Sequence, residues 1–279
     1  MHSQLGQDIF CLTFYNNKRN GYFLDIGAYD GISLSNTYLL ENNYAWKGLL
    51  IEPMKPMIEK LKESRPNSTI IEKAAYNETG KLLTFWENRD DKMISGLDGH
   101  VDKDFQVKQY NKTHVWETYT VETITITDLL NEHGYPSFID YMSLDVEGAE
   151  LEVLNGIDFQ TYRIGIMNVE HNFIEPRRSE IKELLLKNGY IFRSSTVFDD
   201  DYIHRSLIEG IYYYNKDYTK PIVVTIDTLN NIQVSSPYWQ STTGIFDGKT
   251  MTIQWNRLGV GKLFYNYIDY GNGNIWHKY

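Results

Sequence analysis

The stretch Phe23-Leu24-Asp25-Ile26-Gly27-Ala28-Tyr29-Asp30-Gly31 decides the fold. An apolar run breaks into a turn that carries two glycines and two acids, the pattern of a buried strand leaving a sheet for a helix. Gly27 lets the chain turn and lets a ligand approach the backbone, and Gly31 does the same at the helix entrance. The glycines do not follow the G-x-G-x-x-G spacing of a dinucleotide site. Asp25 and Asp30 are also misplaced beside a pyrophosphate, which needs backbone donors and positive potential. S-adenosylmethionine carries no phosphate and presents an ammonium and a sulfonium, which carboxylates attract. The loop therefore reads as a site for that methyl donor; the plainer alternative is a tight turn with solvated aspartates.

Outward from this turn, residues 21–215 alternate short apolar runs with amphipathic segments. Strands are expected at 22–26, 48–52, 69–76, 139–144, 164–169, 190–197 and 210–214, with an edge strand at 82–87 and helices at 34–43, 149–154 and 178–187. Asn188-Gly189 closes the last helix, since glycine tolerates positive φ. Strand–helix repetition of this kind implies an α/β fold with a mostly parallel sheet covered by helices on both faces. Such sheets bind ligands beyond the carboxyl ends of their strands. Glu52 ends the second strand, where its carboxylate can accept both hydroxyl protons of a ribose; the alternative is an acid favoured at the start of the next helix. Ala74 and Ala75 leave room for an adenine ring. The polar stretch 88–116 reads as a loop covering the substrate.

On the acceptor side, the fourth strand runs into Ser143-Leu144-Asp145-Val146-Glu147-Gly148-Ala149-Glu150 and the fifth into Val169-Glu170-His171-Asn172. Neighbouring exits bring Asp145, Glu147, Glu170 and His171 together. Methyl transfer to oxygen needs in-line geometry and a base for the hydroxyl proton, and His171, with a reference pKa near neutrality, is the natural candidate. Asp145 and Glu170 with His171 or Asn172 can instead hold Mg²⁺ or Mn²⁺. The plain alternative is that Glu147 and Glu150 only favour the following helix and that His171 is structural.

After residue 215 the texture changes. Residues 222–279 contain short β-branched and aromatic runs broken by Asn230-Asn231, Asp247-Gly248 and Gly271-Asn272-Gly273, which are turn signals. The expected organisation is an α/β domain at 1–216 and a small all-β module at 222–279. Trp239, Trp255 and Trp276 fit the module's core or an assembly contact, including oligomer formation, better than a sugar-stacking platform.

Across 279 residues the formal charge is -10, which disfavours nucleic acid as a partner. The single cysteine, Cys11, fits a reducing compartment. Neither a signal peptide nor a membrane span is evident, and a soluble, cytoplasmic protein is expected.

The ordered set Ser3-Gln4-Leu5-Gly6-Gln7-Asp8, the turn above, Trp46-Lys47-Gly48 leading to Ile51-Glu52-Pro53, and Ser143 to Leu151 resembles the FkbM family of methyltransferases. Asn36-Thr37, Ser95 and Asn188-Gly189-Tyr190 extend the resemblance, which covers most of residues 3–215. It implies a class I, Rossmann-like methyltransferase sheet and S-adenosylmethionine as donor. The donor would lie at Asp25, Gly27, Ala28, Asp30 and Gly31, with Asn36, Glu52, Pro53, Ala74 and Ser95 around it. It implies methylation of a hydroxyl, on a sugar, a glycan or another small-molecule acceptor, with Gln4 and Gln7 covering donor or acceptor. Metal-dependent catechol-type enzymes use a lysine three residues after the fourth-strand aspartate; Gly148 stands there, so their proton scheme does not transfer. Two other functions stay open: methylation of protein or RNA, and a glycan-binding or assembly protein without turnover.

Overall fold

The computed structural model describes residues 3–101, 115–227, 229–248, 250–253, 260–264, 266–271 and 273–278. Along the chain, helix α1 (Gln7–Phe14) precedes β1 (Tyr22–Ile26), α2 (Tyr38–Tyr44), β2 (Lys47–Ile51), α3 (Lys55–Ser64) and β3 (Thr69–Ile71). Short strands β4 (Ala74–Ala75), β5 (Leu82–Asn88) and β6 (Gly96–Leu97) follow, then β7 (Trp116–Ile124) and α4 (Ile126–Glu132). Next come β8 (Phe138–Leu144), α5 (Glu150–Asn155), β9 (Arg163–Glu170), α6 (Arg177–Lys187), β10 (Tyr190–Ser195) and β11 (Asp199–His204).

Among the described residues, seven strands form one sheet in the order β10-β11-β9-β8-β1-β2-β3. The strands from β9 to β3 are parallel, while β11 runs antiparallel to both β9 and β10. This is the mostly parallel α/β sheet that the sequence pattern implies, of the Rossmann-like class that the family resemblance implies. The central strands β1 and β8 are buried along nearly their whole length, as their continuous apolar runs require of a sheet covered on both faces. A second sheet, β4-β7-β5-β6, lies beside the first. Its β5 pairs on both sides, with β7 and β6, so the segment expected as an edge strand is internal.

Three further expectations are corrected. The third strand divides into β3 and β4, and β4 pairs with β7 instead of continuing the main sheet. The first crossover helix starts at Tyr38, not Leu34, because Leu34 adopts φ 56° and the Ser35 hydroxyl holds the turn ahead of the helix by accepting the Tyr38 N–H. The last strand of the sheet is β11, opened by Asp199-Asp200-Asp201, where no strand was expected. All six residues of β11 are buried, which is tolerable because each acid finds a donor: Gln7, Arg178 and Arg193 respectively.

The strand expected to finish that sheet, β12 (Gly210–Tyr214), pairs instead with β13 (Pro221–Ile226) and β19 (Ile275–Lys278). With β14 (Asn231–Ser236), β15 (Trp239–Phe246), β16 (Thr250–Ile253), β17 (Val260–Phe264) and β18 (Tyr267–Asp269), these strands make a closed antiparallel barrel. The all-β module therefore begins at Gly210, inside the expected 1–216 domain. Alternation along β13 and β14 sends Ile222, Val224, Ile226, Ile232 and Val234 inward, where Phe246, Met251 and Trp276 meet them. That core continues through Ile203, Leu207 and Ile208 to α1 and the face of the main sheet. Trp276 is core, as its composition suggested, and Trp255 lies outside the described residues. No helix among the described residues is long and apolar enough to cross a membrane.

Candidate active site at the carboxyl edge of the sheet

A cavity of about 270 Å³ opens where β1, β2, β8 and β9 end. The strand exits are laced together: Gly27 and Ala28 both donate to the Ile51 carbonyl, and Asp145 N–H donates to the Ile26 carbonyl at 3.0 Å. Gly27 has φ 85°, and a Cβ there would stand 1.7 Å from the Asp145 carbonyl oxygen. The glycine is thus needed for two strand exits to pass each other.

Glu52 is 3 % exposed and lines the cavity. Its Oε2 accepts the Tyr29 N–H at 2.9 Å and its Oε1 the Met54 N–H at 2.8 Å. Each oxygen keeps a lone pair for a further donor. Burial, which outweighs these two bonds, pushes its pKa up to about 7. Pro53, Ala28, Ala74 and Ser95 also line the cavity, and the Ser95 hydroxyl accepts the Asn88 N–H. Asn36 donates to the Ser143 hydroxyl at 3.0 Å, while its buried Oδ1 has no hydrogen-bond partner among the described residues. An unsatisfied acceptor therefore remains beside the turn.

Other members of the turn are placed differently from expectation. Asp25 lines the cavity, but its Oδ2 accepts the Thr37 hydroxyl at 2.5 Å and lies 3.7 Å from Arg65 Nη1. Burial raises its pKa and Arg65 opposes the rise. Asp30 does not line the cavity; its carboxylate accepts the Ile32 and Ser33 N–H groups and the Ser33 hydroxyl, so it holds the turn's own shape. Gly31 does not line it either. A Cβ there would meet Arg65, Ser64 and Leu61 within 2.8 Å, so that glycine serves packing against the end of α3.

Beyond β8 and β9, Asp145, Glu147 and Glu170 present carboxylate oxygens that all lie within 4.8 Å of one another. Glu150 holds the intervening loop by accepting the Val146 and Gly148 N–H groups, and Arg177 donates to the Gly148 carbonyl. Surrounding protein, then the Asp199 and Glu150 charges, pushes Asp145 up to about 7, against a hydrogen bond with Glu170. Glu147 and Glu170 rise well above the ordinary carboxylate range, again through burial first and neighbouring acids second. Such a group is neutralised by a shared proton or by a cation.

His171, expected beside them, does not line the cavity. It is 2 % exposed, its Nδ1 accepts the Phe173 N–H, and its Nε2 faces Asp200 at 3.5 Å. Burial lowers its pKa. It therefore stands outside the cavity and outside the Asp145–Glu147–Glu170 cluster, apart from the base role and the cation ligand set expected of it. In its place the cavity gains Gln4, Gln7, Phe198 and Asp199, of which only the glutamines were anticipated. Seven carboxylates line the space, from Asp25, Glu52, Asp91, Asp145, Glu147, Glu170 and Asp199. No lysine, arginine or histidine does so among the described residues. The middle of the expected covering loop, 102–114, lies outside the described residues, while Met93, Ile94 and Ser95 from its start line the cavity.

A family model described as the Methyltransferase FkbM domain matches residues 25–192. The chain belongs to the FkbM methyltransferase family. The family match begins at Asp25 near the end of β1, spans the Gly27–Gly31 turn, Glu52, β8 and β9, and stops at β10, before β11 and the barrel. Among solved structures, this FkbM chain is similar to the methyltransferase FkbM from Methylobacillus flagellatus KT, at 13 % identity and TM-score 0.42 over 70 % of this chain and 47 % of that one. It thus spans about half the length of that protein. It is also similar to a precorrin-6y C5,15-methyltransferase from Geobacter metallireducens, at 12 % identity and TM-score 0.35 over 70 % and 84 % of the two chains. A putative RNA methyltransferase from Pyrococcus horikoshii gives 10 % identity and TM-score 0.34 over 78 % and 74 %. No curated protein matches this member of the family.

Proposed function

We propose that this FkbM-family chain transfers the methyl group of S-adenosylmethionine to a hydroxyl of a sugar or glycan. The observation that carries the reading is a cavity walled by seven carboxylates, without a cationic side chain among the described lining residues, at the carboxyl edge of the sheet. A nucleotide diphosphate is repelled there, whereas a sulfonium and an ammonium are attracted. Glu52 is the ribose acceptor in this reading, and the unsatisfied Asn36 Oδ1 is an acceptor for the donor's ammonium. Ala74 and Ala75 give the adenine its room.

On the acceptor side, Asp199, Asn172 and Gln4 offer hydrogen-bonding groups next to the Phe198 ring. Amides and carboxylates beside an aromatic face match a sugar, which presents hydroxyls at its rim and C–H groups on its faces. In this reading Asp145 and Glu147, which line the cavity, stand next to the transferable methyl. A shared proton or a hard cation such as Mg²⁺ or Mn²⁺, held by oxygen ligands, neutralises Asp145, Glu147 and Glu170; turnover that survives thorough chelation decides for the proton. The acidic lining disfavours RNA as acceptor. The division into an α/β domain and a barrel that shares its core and serves assembly or oligomer contacts belongs to the same proposal.

Calorimetry with S-adenosylmethionine, S-adenosylhomocysteine and NAD⁺ tests the donor. The first two are expected to bind and NAD⁺ is not; the opposite order removes the assignment. Incubation with labelled donor and a panel of glycans, read by mass spectrometry, tests the acceptor.

A further inference from the structure

Three consecutive acids open β11, and they are not treated alike. Asp200 receives Arg178 through two nitrogens, at 3.0 and 2.7 Å. Asp201 receives Arg193 Nη1 at 2.6 Å, with Ser194 and Asn168 also donating to it. Asp199, only 7 % exposed, has no cationic partner among the described residues. Its side chain is held by one neutral donor, Gln7 Nε2, at 2.6 Å from Oδ2. The direction of that bond is fixed, because Gln7 Oε1 accepts the Leu5 N–H and so the amide nitrogen must face the acid.

The position of Asp199 follows from topology. Because β11 runs antiparallel to β9, its first residue lies at the edge where the parallel strands end, and Asp199 pairs directly with Glu170. Across the sheet, the donor turn follows β1 and the ribose position follows β2. Strands stand about 4.8 Å apart, so Asp199 lies two strands beyond the β8 exit on the side away from the ribose. A carboxylate this buried costs free energy unless a ligand or donor completes its hydrogen bonds. Cations satisfy its two neighbours, whereas Asp199 faces the cavity.

We propose that Asp199, oriented by Gln7, binds the acceptor hydroxyl and receives its proton during methyl transfer. This rests on the O-methyl transfer proposed above. The hydroxyl oxygen forms the new bond to the methyl carbon as the carbon–sulfur bond breaks. The electron pair of that bond stays on sulfur, giving the neutral thioether. The hydroxyl proton moves to the Asp199 carboxylate and then to solvent. Asp199 is a catalytic residue in this scheme, and Gln7 is a positioning residue that acts through it.

The test measures S-adenosylhomocysteine formed from labelled S-adenosylmethionine, in water alone and with a panel of methyl glycosides. Wild type, Asp199→Asn, Asp199→Glu and Gln7→Leu are compared, with the affinity of S-adenosylhomocysteine measured for each. Asp199→Asn is expected to lower kcat by about 10²–10⁴-fold while that affinity changes by less than about two-fold, as befits a group beyond the donor. Asp199→Glu is expected to restore part of kcat, and Gln7→Leu to raise the acceptor KM and lower kcat less than Asp199→Asn does. Wild-type turnover in Asp199→Asn overturns the assignment, and so does a loss of product affinity in step with turnover. A wild type that binds the donor yet transfers to neither water nor glycosides, but methylates a protein or an amine, overturns the hydroxyl reading itself.

Discussion

Arg65 Nε lies 2.7 Å from Glu41 Oε2, and both side chains are fully excluded from solvent. The same guanidinium donates to the Gly31 carbonyl, to the Ser35 hydroxyl and to Thr37 Oγ1, whose own proton goes to Asp25. One cation therefore joins the end of α3 to Gly31, Ser35 and Thr37 behind the β1 exit. Arg65→Met leaves the buried Glu41 carboxylate with only neutral donors, the Asn67 N–H and the Ser68 hydroxyl, and breaking a buried pair from one side costs about 3–5 kcal/mol. Urea denaturation is expected to show a loss of that size, with S-adenosylhomocysteine affinity falling as the turn loosens. Arg65→Lys gives little recovery, since a lysine cannot fork among four acceptors. Stability within about 1 kcal/mol of wild type would show that the pair is not the turn's support.

Gly27→Ala forces a Cβ toward the Asp145 carbonyl at a backbone φ of 85°. Either the β1 exit or the β8 exit must move, and both border the cavity. Donor affinity is expected to fall more than ten-fold. Unaltered calorimetry in a folded Gly27→Ala protein contradicts the close crossing of the two exits.

Glu52 titrates near pH 7 in the folded protein, raised by burial. A group that holds its proton more tightly when folded stabilises the fold less as pH rises through the interval from its unfolded value, near 4.5, to about 7. The free protein is thus expected to lose up to about 3 kcal/mol from this group between pH 5 and pH 8. Donor binding has the opposite slope, because the ionised carboxylate is the better ribose acceptor. Affinity should weaken below pH 7 by up to about ten-fold per unit. Thermal midpoints and calorimetry at pH 5, 6, 7 and 8 check both signs; a donor affinity flat over this range removes Glu52 from the ribose.

Arg193 connects three parts of the molecule. Its Nε donates to the Gly248 carbonyl of the barrel, its Nη1 reaches Asp201 of β11, and its guanidinium lies 3.5 Å from the Phe10 ring centroid of α1. Arg193→Ala leaves Asp201 buried without its cation and is expected to destabilise the chain by about 2–4 kcal/mol. Because the core is continuous from sheet to barrel, unfolding followed by tryptophan fluorescence should remain a single transition. Two separated transitions in the wild type would instead establish the barrel as an independent folding unit.

The sheet was legible because its strands are unusually plain: Tyr22–Ile26 and Phe138–Leu144 are near-continuous apolar runs with turn signals behind them. Asp25, Gly27 and Glu52 were legible as cavity residues because the strand exits are where such sheets take ligands. What escaped notice depends on partners far away in sequence. β11 is a strand only because Gln7, Arg178 and Arg193 meet its acids, and no local period records this. His171 was expected among the cavity residues because residue type was visible, whereas its turn toward the Phe173 N–H and Asp200 was not. Asp30 looked like a ligand group, yet the backbone N–H groups two and three residues ahead of it were closer claimants. The barrel's start at Gly210 was hidden because β12 reads equally well as the end of one sheet or the opening of another.

The short turn at residues 196–198 has a consequence beyond its size. Side chains alternate along β11, so Asp199 and Asp201 share one face and Asp200 takes the other. Inserting or deleting one residue in that turn slips the strand by one place and exchanges the faces. Arg178 then meets the wrong acid, and the cavity loses the Asp199 carboxylate. A surface turn is usually the most forgiving place to change chain length; here the parity of three successive aspartates makes it one of the least.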